Sequence, residues 1–264
     1  MLGHPVKAFA DGPTTFSNTT SIAIPATGSP NQMGQASPYP SIIPVSGMAG
    51  VVTNVTVTFN GLTHGALNDV DAMVVSPTGA NLVVLSDLGD PNSLRLANNI
   101  NLTFSDSAAS GIPEIVDVPS GTFPPTNNNP GAAVDSFPAP APTPSSQTTL
   151  AGAFAGINPN GEWRLFIVDD TSGEVGSMAG GWSLTITTEV TAVATTTTVT
   201  SSDATSTTGD PVTFTATVTG GGSPVASGTV QFSDGGSNLG APIALAADGT
   251  ATFTTSGLVA GTHA

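Results

Sequence analysis

Asn160-Gly-Glu-Trp-Arg-Leu-Phe-Ile-Val-Asp-Asp170 and, shortly after it, Gly181-Trp-Ser-Leu-Thr-Ile186 decide the fold. Trp163, Leu165 and Ile167 fall on one side of an extended chain, and so do Trp182, Leu184 and Ile186. That period of two is the mark of a half-buried antiparallel strand. Both indoles fall on the inward side, which predicts core residues rather than exposed aromatic platforms.

The same alternation recurs on either side. Val51, Thr53, Val55, Val57 and Phe59 alternate with mostly polar neighbours, and Ile100, Leu102 and Phe104 alternate with Asn and Thr. Further strands are predicted over 21–24, 41–46, 70–76 and 81–86. The last two flank Pro77-Thr-Gly-Ala80, a turn with Pro and Gly where a hairpin wants them. Helix signals are almost absent, because Gly, Pro and β-branched residues interrupt every long window. Eight short strands without helices predict an all-β, jelly-roll-like sandwich over residues 1–190. From Ser107 to Thr149 nine prolines and an Asn-rich run break the rhythm. This stretch is predicted to be a long connection, partly polyproline II and poor in strands, pinned by Phe123 and Phe137.

After Thr187 the composition shifts to Thr, Gly and Ser. Val212–Val218, Gly228–Ser233 and Gly249–Thr254 are predicted strands separated by Gly-rich turns, the spacing of an Ig-like sandwich over 191–264. The sequence stops where a last strand should begin. The second domain is therefore expected to be C-terminally truncated and the chain to be a piece of a longer one, with any export signal lying outside it.

Charge excludes several functions. The 264 residues carry 3 Lys or Arg, 18 Asp or Glu and no Cys, for a net charge of −15. So few bases cannot neutralise a run of phosphates or dock on an anionic membrane. No apolar run is long enough to span a bilayer. Without cysteine there is no disulfide framework, thiolate metal site or thiol nucleophile. Catalysis by histidine has only His4, His64 and His263 to draw on, and no Gly-x-Ser-x-Gly elbow is present. His64 reads better as a strand-end residue hydrogen-bonded to a loop.

The best chemical case is calcium. Asp69 and Asp71 stand at the start of a strand, Asp87 and Asp90 bracket Leu-Gly in the next loop, and Asp169, Asp170 and Glu174 surround Ser172-Gly173. In an antiparallel sandwich such loops converge at one end. Hard oxygen donors of this kind suit Ca²⁺, and with no Lys or Arg adjacent their repulsion calls for a cation or water. The competing reading is that they are solvated turn residues, since Asp favours turns anyway.

Two blocks carry a family resemblance. Asn54-Val-Thr-Val-Thr-Phe-Asn-Gly-Leu-Thr-His64 with Asn68-Asp-Val-Asp-Ala-Met-Val-Val-Ser-Pro-Thr-Gly79 resembles the centre of a P domain, the P/Homo B module behind the catalytic domain of kexin- and furin-like subtilases. Asn160 to Asp170, Gly173-Glu-Val-Gly176 and Gly181 to Ile186 are similar to its final strands. The Pro-rich insertion departs from eukaryotic relatives, and the whole looks more like variants in large secreted bacterial proteins. Thr196–Ser202, Gly209–Val218, Gly228–Phe232 and Gly261–His263 are similar to bacterial Ig-like repeats. The resemblance implies a non-catalytic accessory module, secreted or at the cell surface and monomeric. Its partners would be neighbouring domains of the same polypeptide, such as a subtilisin-like protease. The alternative is a calcium-dependent adhesin or carbohydrate-binding module.

Overall fold

A computed structural model describes residues 9–25, 27–28, 32–88, 95–114, 116–128, 135–190 and 193–263. The chain divides into two compact units, Ala8–Val190 and one that holds Thr191–Ala264. Both are built almost wholly of β-structure.

In the larger unit the strands are β1 (Phe9–Asn18), β2 (Ile22–Ile24), β3 (Gly34–Gln35), β4 (Ser41–Val45), β5 (Val51–His64), β6 (Val70–Val75), β7 (Asn81–Ser86), β8 (Ala97–Phe104), β9 (Gly121–Phe123), β10 (Thr126–Asn127), β11 (Gly161–Asp169), β12 (Gly176–Met178) and β13 (Trp182–Val190). One sheet runs β1-β13-β5-β8-β9, with β12 and β2 continuing beside the far end of β5. The other runs β10-β7-β6-β11, with β3 and β4 both on the outer side of β11. The predicted turn closes the β6–β7 hairpin, where Ser76 donates its backbone N–H to Ala80 at 2.8 Å.

The alternating apolar residues meet between the sheets. Trp163 and Trp182 are fully buried, as the pattern predicts, beside Phe59, Phe104 and Phe154. Each indole N–H finds an acceptor, Trp163 the carbonyl of Pro159 at 2.8 Å and Trp182 the hydroxyl of Ser41 at 3.0 Å. Buried Trp keeps its full hydrophobic value only when that donor is satisfied.

The structure departs from the simple sandwich on one face. Along β11, Leu165 and Ile167 enter the main core, but Phe166 is also buried, at 2% exposed. It packs with Met73, Val75 and Val83 on the outside of the sheet. Tyr39, Phe137 and Ala141 cover this second cluster, Tyr39 meeting the Phe166 ring edge-on at 5.0 Å. Phe137 and Ala141 lie in the Pro-rich stretch. Its backbone is anchored as it crosses: the Tyr39 hydroxyl donates to Pro138 O at 2.9 Å and the Asn81 amide to Thr143 O at 3.2 Å.

The stretch is therefore less structure-poor than its composition suggests. It contains β9 and β10, which pair parallel with β8 and β7, and it leads directly into a five-residue helix α1 (Leu150–Phe154). Asp106 accepts from the first two backbone N–H groups of α1, at 2.9 and 2.7 Å, and Thr149 caps Gly152. Both expected pins hold: Phe123 is buried in the main core and Phe137 packs on the outer cluster.

The smaller unit has long strands at Thr195–Ser201, Val212–Gly220 and Thr250–Thr255 and several two-residue ones. Its core is small: Ala216, Phe232 and Ala251 are buried, with Phe232 stacked on Phe253 at 5.7 Å. Beside that core lies a cavity of about 420 Å³ whose wall includes Val199, Phe214, Val230 and Leu258.

One turn in the larger unit admits only glycine. Gly181, which leads into β13, has φ +64°, and a Cβ there would run into the carbonyl oxygen of Asn18. Both the left-handed backbone and the collision oppose a side chain. Gly181→Ala is expected to lower the stability of the larger unit by about 2 kcal/mol or more, read as a shifted urea midpoint of the full chain.

Candidate functional site

The predicted acids do converge on one end of the larger unit, but not on one point. The alternation along β6 and β11 sends them to opposite faces. Asp169 pairs in register with Val70, on the inner side shared with Leu165 and Ile167. Asp71 pairs with Val168, on the outer side shared with Met73 and Phe166. Asp170 follows one residue after Asp169, and its charge reaches both groups: it leads the charges that raise Asp69 and also raises Asp71.

The inner group is built around His64, the last residue of β5. Its Nδ1 lies 2.8 Å from Ala66 O and 3.1 Å from Ala66 N. Its Nε2 lies 3.5 Å from Asp169 Oδ2, and neither side chain is exposed at all. Asp69 sits next to them on the short 3-10 turn Leu67–Asp69, which Asp170 ties back by donating its backbone N–H to Asp69 O at 2.9 Å. Asn68 donates to Asp69 Oδ1 at 2.9 Å. Glu174 reaches over Gly65, where a Cβ would lie only 2.5 Å from the Glu174 Cγ, so the glycine makes room for the acid. Three buried side-chain atoms here have no hydrogen-bond partner: His64 Nε2, Asp169 Oδ2 and Asn68 Oδ1. Two of them, His64 Nε2 and Asp169 Oδ2, face each other at 3.5 Å without a hydrogen bond, and Asn68 Oδ1 has none either; buried polar atoms are nearly always satisfied, so the place is short of a partner.

The outer group gathers around Ser86. Its hydroxyl donates to Asp135 Oδ1 at 2.9 Å and lies 3.3 Å from Asp87 Oδ2. The Asn127 amide donates to Asp135 Oδ2 at 2.8 Å. Asp71, 5% exposed, faces the same hydroxyl. Asp135 was not among the sequence candidates, because it lies far along the chain in the Pro-rich stretch. Asp90 and His4 lie outside the described residues.

The electrostatics follow from burial without bases. Loss of solvent pushes the Asp71 carboxyl up to about 8; the Ser86 hydroxyl opposes this, and the charges of Asp135, Asp170 and Asp87 add to it. Asp69 is pushed up to about 6 by burial first, then by Asp170, Asp169 and Glu174, with His64 opposing. Asp135 and Asp170 are raised as well, again chiefly by burial. Among the described residues the only ion pairs are His64–Asp169, the exposed Arg164–Glu162 and His263–Asp234. Among them, too, no group of three or more His, Asp or Glu closes into a metal cage. Any cation would therefore have to draw on amide and backbone oxygens as well as carboxylates.

The geometry has little to offer nucleophilic catalysis. His64 has an orienting acid, but its free Nε2 meets that acid and no hydroxyl, and both groups are sealed from solvent. A triad needs a nucleophile on the base and access for substrate.

Comparison with known proteins adds one family. Residues 199–264 match a bacterial Ig-like domain (group 3). No curated protein matches the chain. Among solved structures, the serine protease of Aeromonas sobria in complex with its chaperone is 14% identical over 71% of this chain, with a TM-score of 0.33. The chain spans only 28% of that structure's length. An overlap so loose fixes neither fold nor role.

The raised acids predict a pH dependence. A carboxyl held above its unfolded value binds its proton more tightly when folded, so its ionisation opposes folding. In chelator, stability is expected to be highest below pH 4 and to fall as the pH rises towards about 8, the value for Asp71. Asp71→Asn should remove most of that slope and add roughly 2 kcal/mol at pH 8, measured by thermal melts across the range.

Proposed function

We propose that this chain is a non-catalytic accessory segment of a secreted or cell-surface bacterial protein, with a P-domain-like sandwich steadied by Ca²⁺ and followed by an Ig-like unit. The observation that carries the calcium reading is the trio of orphaned buried atoms beside Asp69 and Glu174. Asn68 Oδ1 has no hydrogen-bond partner and Asp169 Oδ2 has only the His64 Nε2 at 3.5 Å, and carboxylate and amide oxygens of this kind are what Ca²⁺ takes. Asn68, Asp69, Asp169 and Glu174 would hold the ion on the inner side. Asp71, Asp87 and Asp170 belong to the outer group, where an ion would offset their mutual repulsion. Bound there, the ion supplies charge neutralisation and a tie between loops, with no part in chemistry.

The accessory role is supported by the Ig-like match over 199–264 and by the sealed His64–Asp169 pair. The P-domain blocks supply its finer content. In that reading the larger unit docks on and stabilises a subtilisin-like protease domain of the same polypeptide. No helix of the described residues is long and apolar enough to cross a membrane.

Two measurements test the proposal. Melting of the full chain in millimolar Ca²⁺ against chelator should show a higher midpoint with the ion. The gain at a hundredfold excess over Kd is about 2.7 kcal/mol; an unchanged midpoint removes calcium from the reading. Asp169→Asn should abolish the calcium increment, and incubation with peptide and protein substrates should yield no cleavage. Hydrolysis by the chain alone would overturn the accessory role.

A further inference from the structure

Arg95 is not used by the proposed function, although its surroundings adjoin the outer acidic group through Asn127, which also donates to Asp135. It is one of only three bases in the chain and is 4% exposed. Its Nε donates to Leu88 O at 3.1 Å and its Nη1 to Pro113 O at 3.1 Å. Both acceptors are neutral carbonyls. A guanidinium carries five N–H donors, so most of its capacity is left over. No carboxylate of the described residues lies within ion-pairing distance of it. A buried charge without a counter-charge is costly and is seldom kept without one.

The guanidinium borders a cavity of about 350 Å³ whose wall also includes Ile112, Glu114, Thr126, Asn127 and Asn128. We propose that this cavity binds a small carboxylate ligand, of the size of one uronic-acid residue, with Arg95 as the planar partner of its carboxyl group. The volume sits at the low end of ligand sites, roughly 300–1,000 Å³, and suits a single sugar ring rather than a chain of them. Among the described residues the wall holds amides and hydroxyls for ring oxygens but no aromatic ring on which a neutral sugar would stack. The ligand's own charge is therefore its handle.

A guanidinium fork matches a carboxylate and a phosphate equally well in shape. Glu114 stands in the wall and the chain carries −15; a dianion doubles its repulsion by these acids along with its attraction to Arg95. The ligand proposed is the monoanion, a carboxylate, and phosphate is the competing outcome of the test.

The test is an NMR titration of the full chain with sodium glucuronate, acetate, glucose and inorganic phosphate, in calcium and in chelator. Saturable shifts around Arg95 with glucuronate, weaker with acetate and absent with glucose, are expected in both buffers, so the outcome is independent of the calcium site. Affinity should fall with added salt. Arg95→Lys should weaken glucuronate at least about tenfold through loss of the planar fork. Glu114 is exposed and makes no hydrogen bond among the described residues, so Glu114→Gln leaves the fold intact. It should tighten glucuronate by about two- to fivefold, the worth of one exposed like charge. A guanidinium that only staples two loops would give no such gain. Equal response to glucose, tighter binding of acetate or phosphate, or an affinity unmoved by both substitutions overturns the assignment.

Discussion

The alternation of side chains along β11 is the constraint from which the rest of the larger unit follows. Leu165 and Ile167 point between the sheets and Phe166 points away, and all three are buried. A central strand buried on both sides needs three layers: the second sheet on one face and something else on the other. In this fold the something else is the Pro-rich stretch with Tyr39. The same alternation, run two residues further, places Asp169 on the inner side, and its register against β6 places Asp71 on the outer one. One geometric rule thus sets both the packing and the separation of the acids into two groups.

Those acids are held in a way that is unusual for a protein this acidic. A buried carboxylate normally leans on Arg or Lys. Here the nearest helpers are Ser86, Asn127, Asn68 and a histidine sealed against Asp169. Serine has a single proton to offer, and Asp135, Asp87 and Asp71 all face it. Burial, with so few donors to offset it, drives the carboxyls towards their neutral forms. With three Lys or Arg among 264 residues, the chain has few side chains of its own to balance them.

The strands of the core were legible because each repeats a period of two with large apolar residues: Trp163 to Ile167, Trp182 to Ile186 and Val51 to Phe59. Their burial follows from that pattern alone. Asp69, Asp71, Asp169 and Asp170 were legible as a cluster because strand ends in a sandwich converge. That they fall into two groups was not, since it depends on the register of β6 against β11, which no local pattern encodes. Asp135 and the parallel pairings of β9 and β10 escaped for a related reason. Each joins segments far apart in sequence, and their short runs carry no period of their own. Alternation alone puts Phe166 on the face opposite Leu165 and Ile167; only the long-range cover of Phe137 and Tyr39 buries it.

A proline-rich cover over Phe166 has a physical logic that a further strand would lack. A strand laid on an apolar sheet face brings one N–H per residue that must find an acceptor. Pro138, Pro140, Pro142 and Pro144 bring none, so alternate residues of the strap have no donor to satisfy. Its carbonyls still need partners, and those come from side chains at the margin: the Tyr39 hydroxyl, the Gln35 amide to Ala139 O at 3.3 Å and the Asn81 amide. Asn81 also accepts from the backbone and hydroxyl of Ser145. The strap is thus fixed at its edges by polar side chains and in its middle by Phe137 and Ala141. It needs no neighbouring strand, so it can bury the outer face without extending the sheet. Asp135 enters the same arrangement from the strap's other end, reaching Ser86 at the tip of β7. The cover and the outer acidic group are therefore one construction, and charge at that group bears directly on how firmly the cover is seated.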